Sequence, residues 1–184
     1  MNEKGKTAPG AVNPGELLQL AGEARRRAYA PYSHFSVGAA LLCADGSVFT
    51  GCNIENISFS PTCCAERVAF FRAIEAGQRD FRAIAIVGAP AGESGETPCF
   101  PCGVCRQVMA EFCRGDFEIY LSAGDGKVRT LLLSELLPYG FSPDSLHSDN
   151  WEREEKHHGE TLGRTLHAVH RQLYRPLPFL YLLR

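Results

Sequence analysis

The apolar positions along the chain fall into short blocks with two alternating periodicities. Leu17, Leu18, Ala21, Ala24 and Ala28 recur at helical spacing until Pro31 stops them, which predicts a first helix over residues 16–29. Residues 37–44 form a nearly continuous apolar run, and Asp45-Gly46 then turns the chain into residues 47–52. Two adjacent antiparallel strands are expected there. After a polar loop, residues 64–76 have helix-forming composition. Val68, Phe71 and Ile74 fall at helical spacing and Gly77 marks the stop.

The second half repeats the alternation. Residues 83–87 predict a strand, a Gly-, Glu- and Pro-rich loop follows, and Pro101 suits the first position of a new helix. Residues 117–121 and 128–132 predict two more strands around the turn at Gly124 to Gly126, and Ser134 is a candidate N-cap for a short helix. Helices alternating with strands predict an α/β protein: a three-layer α/β/α sandwich with a mixed sheet of about five strands.

The two ends differ from this core. Residues 1–14, rich in Lys, Gly, Pro and Asn without an apolar period, predict a flexible arm before a domain over 15–146. Residues 147–184 predict a charged linker followed by an amphipathic helix, because Leu162, Leu166, Val169 and Leu173 are spaced by gaps of 4, 3 and 4. Of the tail's histidines, His157, His158, His167 and His170 lack carboxylate or cysteine partners at ligand spacing. They are expected to face solvent.

Composition narrows the class. The 184 residues are 45% hydrophobic and 22% charged, with a formal net charge of -2, which argues against a disordered protein or one that coats a polyanion. No basic start leads into an apolar segment of export-signal length, and no apolar run approaches the roughly 18 residues needed to span a bilayer. A cytoplasmic protein without membrane or nucleic-acid partners is expected. In that setting the eight cysteines point to metal rather than disulfides.

The chemistry gathers around Cys64-Ala65-Glu66 and Pro101-Cys102-Gly103-Val104-Cys105. Two thiols three apart at a helix start share one face, where the helix dipole favours the metal-binding thiolate, and Cys64 opens a second helix in the same way. Three thiolates would leave one corner of a tetrahedral Zn²⁺ open for water, and Glu66 can carry protons there. A closed structural site is the alternative, with Cys63 or Cys99 as fourth ligand. Arg67, three residues from Cys64, can donate to its sulfur and offset the negative charge of the thiolates.

The motifs Tyr29-Ala30-Pro31-Tyr32-Ser33-His34-Phe35-Ser36-Val37-Gly38-Ala39-Ala40-Leu41, Gly51-Cys52-Asn53-Ile54-Glu55-Asn56, Cys64-Ala65-Glu66-Arg67 and Pro101-Cys102-Gly103-Val104-Cys105-Arg106-Gln107 resemble the small, homotetrameric, three-cysteine cytidine deaminases, in order, from about Gly15 to about Leu146. The resemblance implies a zinc hydrolase of pyrimidine salvage, acting on cytidine and 2′-deoxycytidine, with Cys64, Cys102 and Cys105 as ligands and Glu66 as acid/base. It also implies that Asn53 and Glu55 hold the sugar hydroxyls, that Phe35 lies beside the base, and that the Ala65 amide meets the pyrimidine carbonyl. Phe141 would reach a neighbouring subunit's site. The chain departs from the pattern at Phe59, where many members carry tyrosine, and in the tail beyond Leu146.

Overall fold

A computed structural model describes residues 12–93 and 97–146. The chain divides into two units, residues 1–142 and 143–184; of the second, only the 3₁₀ turn Pro143–Leu146 is described. The charged linker, the C-terminal helix and most of the N-terminal arm expected from sequence lie outside the described residues.

In the first unit, five strands form one mixed sheet in the order β2-β1-β3-β4-β5. The strands are β1 (Phe35–Cys43), β2 (Val48–Cys52), β3 (Phe81–Pro90), β4 (Glu118–Ser122) and β5 (Val128–Leu132). Only β3 and β4 run parallel, as a strand–helix–strand crossover requires, while the other neighbours are antiparallel. The helices are α1 (Pro14–Arg25), α2 (Ala65–Glu75), α3 (Gly103–Phe112) and α4 (Leu133–Leu136).

Strand alternation sends side chains into two cores. Ala39, Leu41 and Cys43 of β1 and Ile84 and Ile86 of β3 meet α2 and α3 through Ala69, Phe70, Ala73, Cys105 and Met109. Ala40 and Leu42, with Ala83, Ala85 and Val87, meet Leu17 and Ala21 of α1 on the opposite face. That second face is built largely of alanine, so α1 lies almost flush on the sheet. A Cβ at Gly38 would stand 2.0 Å from the Ala21 carbonyl oxygen, so only glycine fits there.

Several element ends differ from the sequence expectation. The first helix starts at Pro14, where the Asn13 side chain accepts from the Glu16 N–H and Glu16 returns a bond to Asn13, a reciprocal cap. It ends at Arg25 instead of reaching Tyr29. Tyr29 is taken by another partner: its N–H donates to the Asn53 carbonyl, and its carbonyl accepts from the Glu55 N–H.

Helix α2 buries Ala65, Glu66, Ala69, Phe70 and Ala73, whereas Phe71 is half exposed. The stripe Val68, Phe71, Ile74 is therefore one position out of phase with the buried face. A Cβ at Gly51 would lie 2.3 Å from the Ala65 carbonyl oxygen and 2.5 Å from the Ala69 nitrogen, so β2 needs glycine where the α2 backbone crosses it. Pro101 precedes the α3 cap, Cys102, instead of opening the helix. Ser134 lies inside α4, whose cap is Leu132 with Glu135 accepting from its N–H.

Candidate active site

Cys64 and Cys102 are themselves the N-caps of α2 and α3, one residue before the first turns in which sequence places them. Neither side chain caps its own helix. Both thiols turn toward each other, with sulfurs 3.8 Å apart, and Cys105 lies 3.5 Å from Cys102. All three sulfurs fall within 4.8 Å of one another, a group that neither Cys63 nor Cys99 joins.

These spacings fit zinc. Zn–S bonds of about 2.3 Å in a tetrahedron put the sulfurs about 3.8 Å apart. Hydrogen bonding by the Cys105 thiol, and then by Arg67 and Cys102, holds the Cys64 thiol down at about 5 against the cost of burial. The same contact with Cys64, with burial, pushes Cys105 up.

Glu66 is 4% exposed, in the opening turn of α2. Burial pushes its carboxyl up to about 7, against its own backbone N–H, and the Cys64 charge adds to the push. A carboxyl poised near neutrality is suited to both taking and giving a proton. Arg67 donates to the Thr62 carbonyl at 2.7 Å and to the Cys64 sulfur at 3.8 Å, the contact anticipated from their spacing.

Asn53 is buried and its amide orientation is fixed by its partners. Oδ1 accepts from the Val37 N–H at 2.7 Å, and Nδ2 donates to the Phe35 carbonyl at 2.9 Å. Glu55 accepts from the N–H groups of Tyr32 (2.9 Å) and Ser33 (3.3 Å) through Oε2 and from the Ser33 hydroxyl through Oε1. The Ser33 hydroxyl, and then the Tyr32 amide, hold this carboxyl below its ordinary range.

Phe35 opens β1 with its ring partly exposed, beside the point where a Gly88 Cβ would meet both Phe35 and the Cys99 sulfur. Ala65 is buried at the first position of α2, where the backbone N–H has no partner within the helix. Phe141 is 61% exposed, and its carbonyl accepts from the Gln107 side chain at 2.6 Å.

Ser33 escaped sequence reasoning, as did the links from Arg106 to the Pro101 and Leu136 carbonyls, each 2.8 Å, that brace the Cys102–Cys105 turn. The only available signal was their place inside the recognised motifs.

The family model of the cytidine and deoxycytidylate deaminase zinc-binding region matches residues 13–121. A cytidine deaminase of Sporosarcina psychrophila is 47% identical over 131 residues, covering 71% of this chain and 93% of that protein. The probable cytidine deaminase of Dictyostelium discoideum is 38% identical, covering 73% and 90%. Among solved structures, the cytidine deaminase of Burkholderia pseudomallei aligns with a TM-score of 0.61 and 49% identity, covering 68% of this chain and 96% of that one. That of Mycobacterium tuberculosis gives 0.62 and 37%, covering 71% and 98%. With its sulfur triad, buried carboxylate and matching length of chain, this protein belongs to the cytidine deaminase family.

Proposed function

We propose that the chain hydrolyses cytidine and 2′-deoxycytidine to uridine and 2′-deoxyuridine with release of ammonia, in pyrimidine nucleoside salvage. The observation that carries this reading is the buried Glu66 carboxyl two residues from the first thiol of a three-thiol cluster. Zinc held by Cys64, Cys102 and Cys105 supplies the Lewis acidity that makes water nucleophilic near neutral pH.

The remaining work falls to the chain's own groups. Glu66 takes a proton from the attacking water and delivers it to N3 of the base; it then takes the second proton from the new C4 hydroxyl, whose oxygen becomes the carbonyl, and passes it to the amine as the C4–N4 bond breaks. Arg67 donates to the Cys64 sulfur and offsets the negative charge of the thiolates. Phe35 packs beside the base and the unpaired Ala65 N–H meets the pyrimidine carbonyl. Asn53 and Glu55 hold the sugar: Asn53 keeps one Nδ2 hydrogen after binding Phe35, and Glu55 supplies an ionised acceptor.

Zinc-loaded protein is expected to bleach cytidine absorbance with ammonia released in equal amount. No turnover of either nucleoside would sink the proposal.

The working assembly is a homotetramer in the cytoplasm, with Phe141 of one subunit entering another's site. Supporting the assembly is an exposed apolar group: Ile57 (75%) and Phe59 (71%) in one loop, with Tyr32 edge-on to Phe59 at 6.2 Å and Ile54 bridged to Tyr29. Free thiols at all eight cysteines suit a reducing compartment, and none of the described helices is long and apolar enough to cross a membrane. Light scattering should return a mass near four chains, and a monomer at working concentration would leave Phe141 without its role.

A further inference from the structure

The turn between α1 and β1 closes on Glu55. His34 within it adopts a positive φ of 52°, a conformation that few residues other than glycine hold unaided. Its own N–H donates to the Ala30 carbonyl and its carbonyl accepts from Ala91, so the turn is tied on both sides. Between these ties, the Ser33 hydroxyl bridges two residues of the proposed sugar and base subsites. It accepts from the Phe35 N–H at 3.0 Å and donates to Glu55 Oε1.

The direction of this bridge is forced. A backbone N–H can only donate, so the Ser33 oxygen accepts from Phe35; an ionised carboxylate can only accept, so the Ser33 hydrogen points at Glu55. A carboxylate has about four lone-pair sites. Oε2 uses its sites on the N–H groups of Tyr32 and Ser33, and Oε1 uses one on the Ser33 hydroxyl. One acceptor site on Oε1 remains, in a fixed direction.

We propose that Ser33 is a positioning residue for sugar recognition: its hydroxyl locks Glu55 so that a single acceptor site faces the nucleoside's sugar hydroxyl. The inference rests on the reading of Glu55 as a sugar contact. Without the hydroxyl, Glu55 is held only through Oε2, and Oε1 swings with two open sites. Ordering it again falls on each binding event, so the loss appears in binding and not in chemistry.

The test crosses variants with substrates. Cytidine and 2′,3′-dideoxycytidine, the latter read as a competitive inhibitor of cytidine deamination, are compared on the zinc-loaded wild type and on Ser33→Ala, Ser33→Thr and Glu55→Gln. Ser33→Ala is expected to raise KM for cytidine roughly tenfold, the usual scale for a lost hydrogen bond to a charged group, with kcat changed less than about twofold. The dideoxynucleoside, which lacks the 2′ and 3′ hydroxyls, keeps its Ki within about twofold, and Ser33→Thr restores cytidine KM.

Equal weakening of both ligands in Ser33→Ala would assign the hydroxyl to the Phe35 backbone alone and overturn the proposal. Failure of threonine to restore KM would do the same. If Glu55→Gln also treats the two ligands alike, the sugar-contact reading itself falls; if Glu55→Gln discriminates and Ser33→Ala does not, only the role of Ser33 falls.

Discussion

Glu66→Gln is expected to keep its fold and one zinc per chain while losing roughly 10³- to 10⁴-fold in kcat, the upper range for removing a positioned acid/base group. The amide is isosteric and adds no charge to a site that is 4% exposed, so packing against the sheet is preserved. Stability should not fall, because burial already disfavours the ionised carboxyl and pushes it to about 7. Glutamine cannot carry a proton from water to the base, which leaves the cluster intact and the reaction without its relay. Turnover by cytidine absorbance, zinc by atomic absorption and secondary structure by circular dichroism give three separate readings. Activity within tenfold of wild type would remove Glu66 from the chemistry.

The second large effect concerns the metal. Cys102→Ala should lose zinc affinity by more than about a hundredfold, beyond the usual cost of removing a group that merely supports a ligand. Cys102 is the informative position because it is exposed at a helix cap, so its removal opens no core cavity. Cys99→Ala serves as the contrast. Its thiol lies close to Gly88, and burial with the nearby Glu66 and Cys64 charges pushes it up to about 11, which makes it a poor thiolate. After dialysis against a chelator, Cys99→Ala should retain one zinc and Cys102→Ala none. Zinc loss in both would mean a closed four-thiolate site and a structural metal.

Much of the sheet was legible because local patterning and tertiary environment agree. Strand β5 spans Val128–Leu132, the residues expected after the Gly124 to Gly126 turn, and the Asp45-Gly46 turn places β1 and β2 within two residues of expectation. Two misplacements share a cause, a partner distant in sequence. Tyr29 leaves its helix for Asn53 and Glu55; β3 outgrows its apolar core because Phe35 pairs with Pro90 at the far end of β1.

At the site, the residue types were legible and their positions were offset by one. Helix-forming composition from residue 64 and a proline suited to the first helical position at Pro101 read Cys64 and Cys102 into their helices, yet both are caps whose side chains are committed to one another. Ser33 was invisible for a different reason. A serine in a turn before a strand is ordinary, and only the approach of Glu55 across 22 residues gives its hydroxyl a task.

The sulfur triad also bears on the order in which the molecule assembles. Cys64 follows the β1–β2 hairpin, a local unit, whereas Cys102 and Cys105 sit in the connection between β3 and β4. Within either unit the chain offers at most two of the three sulfurs. The native cluster therefore waits for β1 to pair with β3, a non-local event with a loop-closure cost. Capture of the metal by all three thiols thus reports that the two halves have docked, and a newly made chain in which they have not docked presents its thiols to oxidants and competing metals.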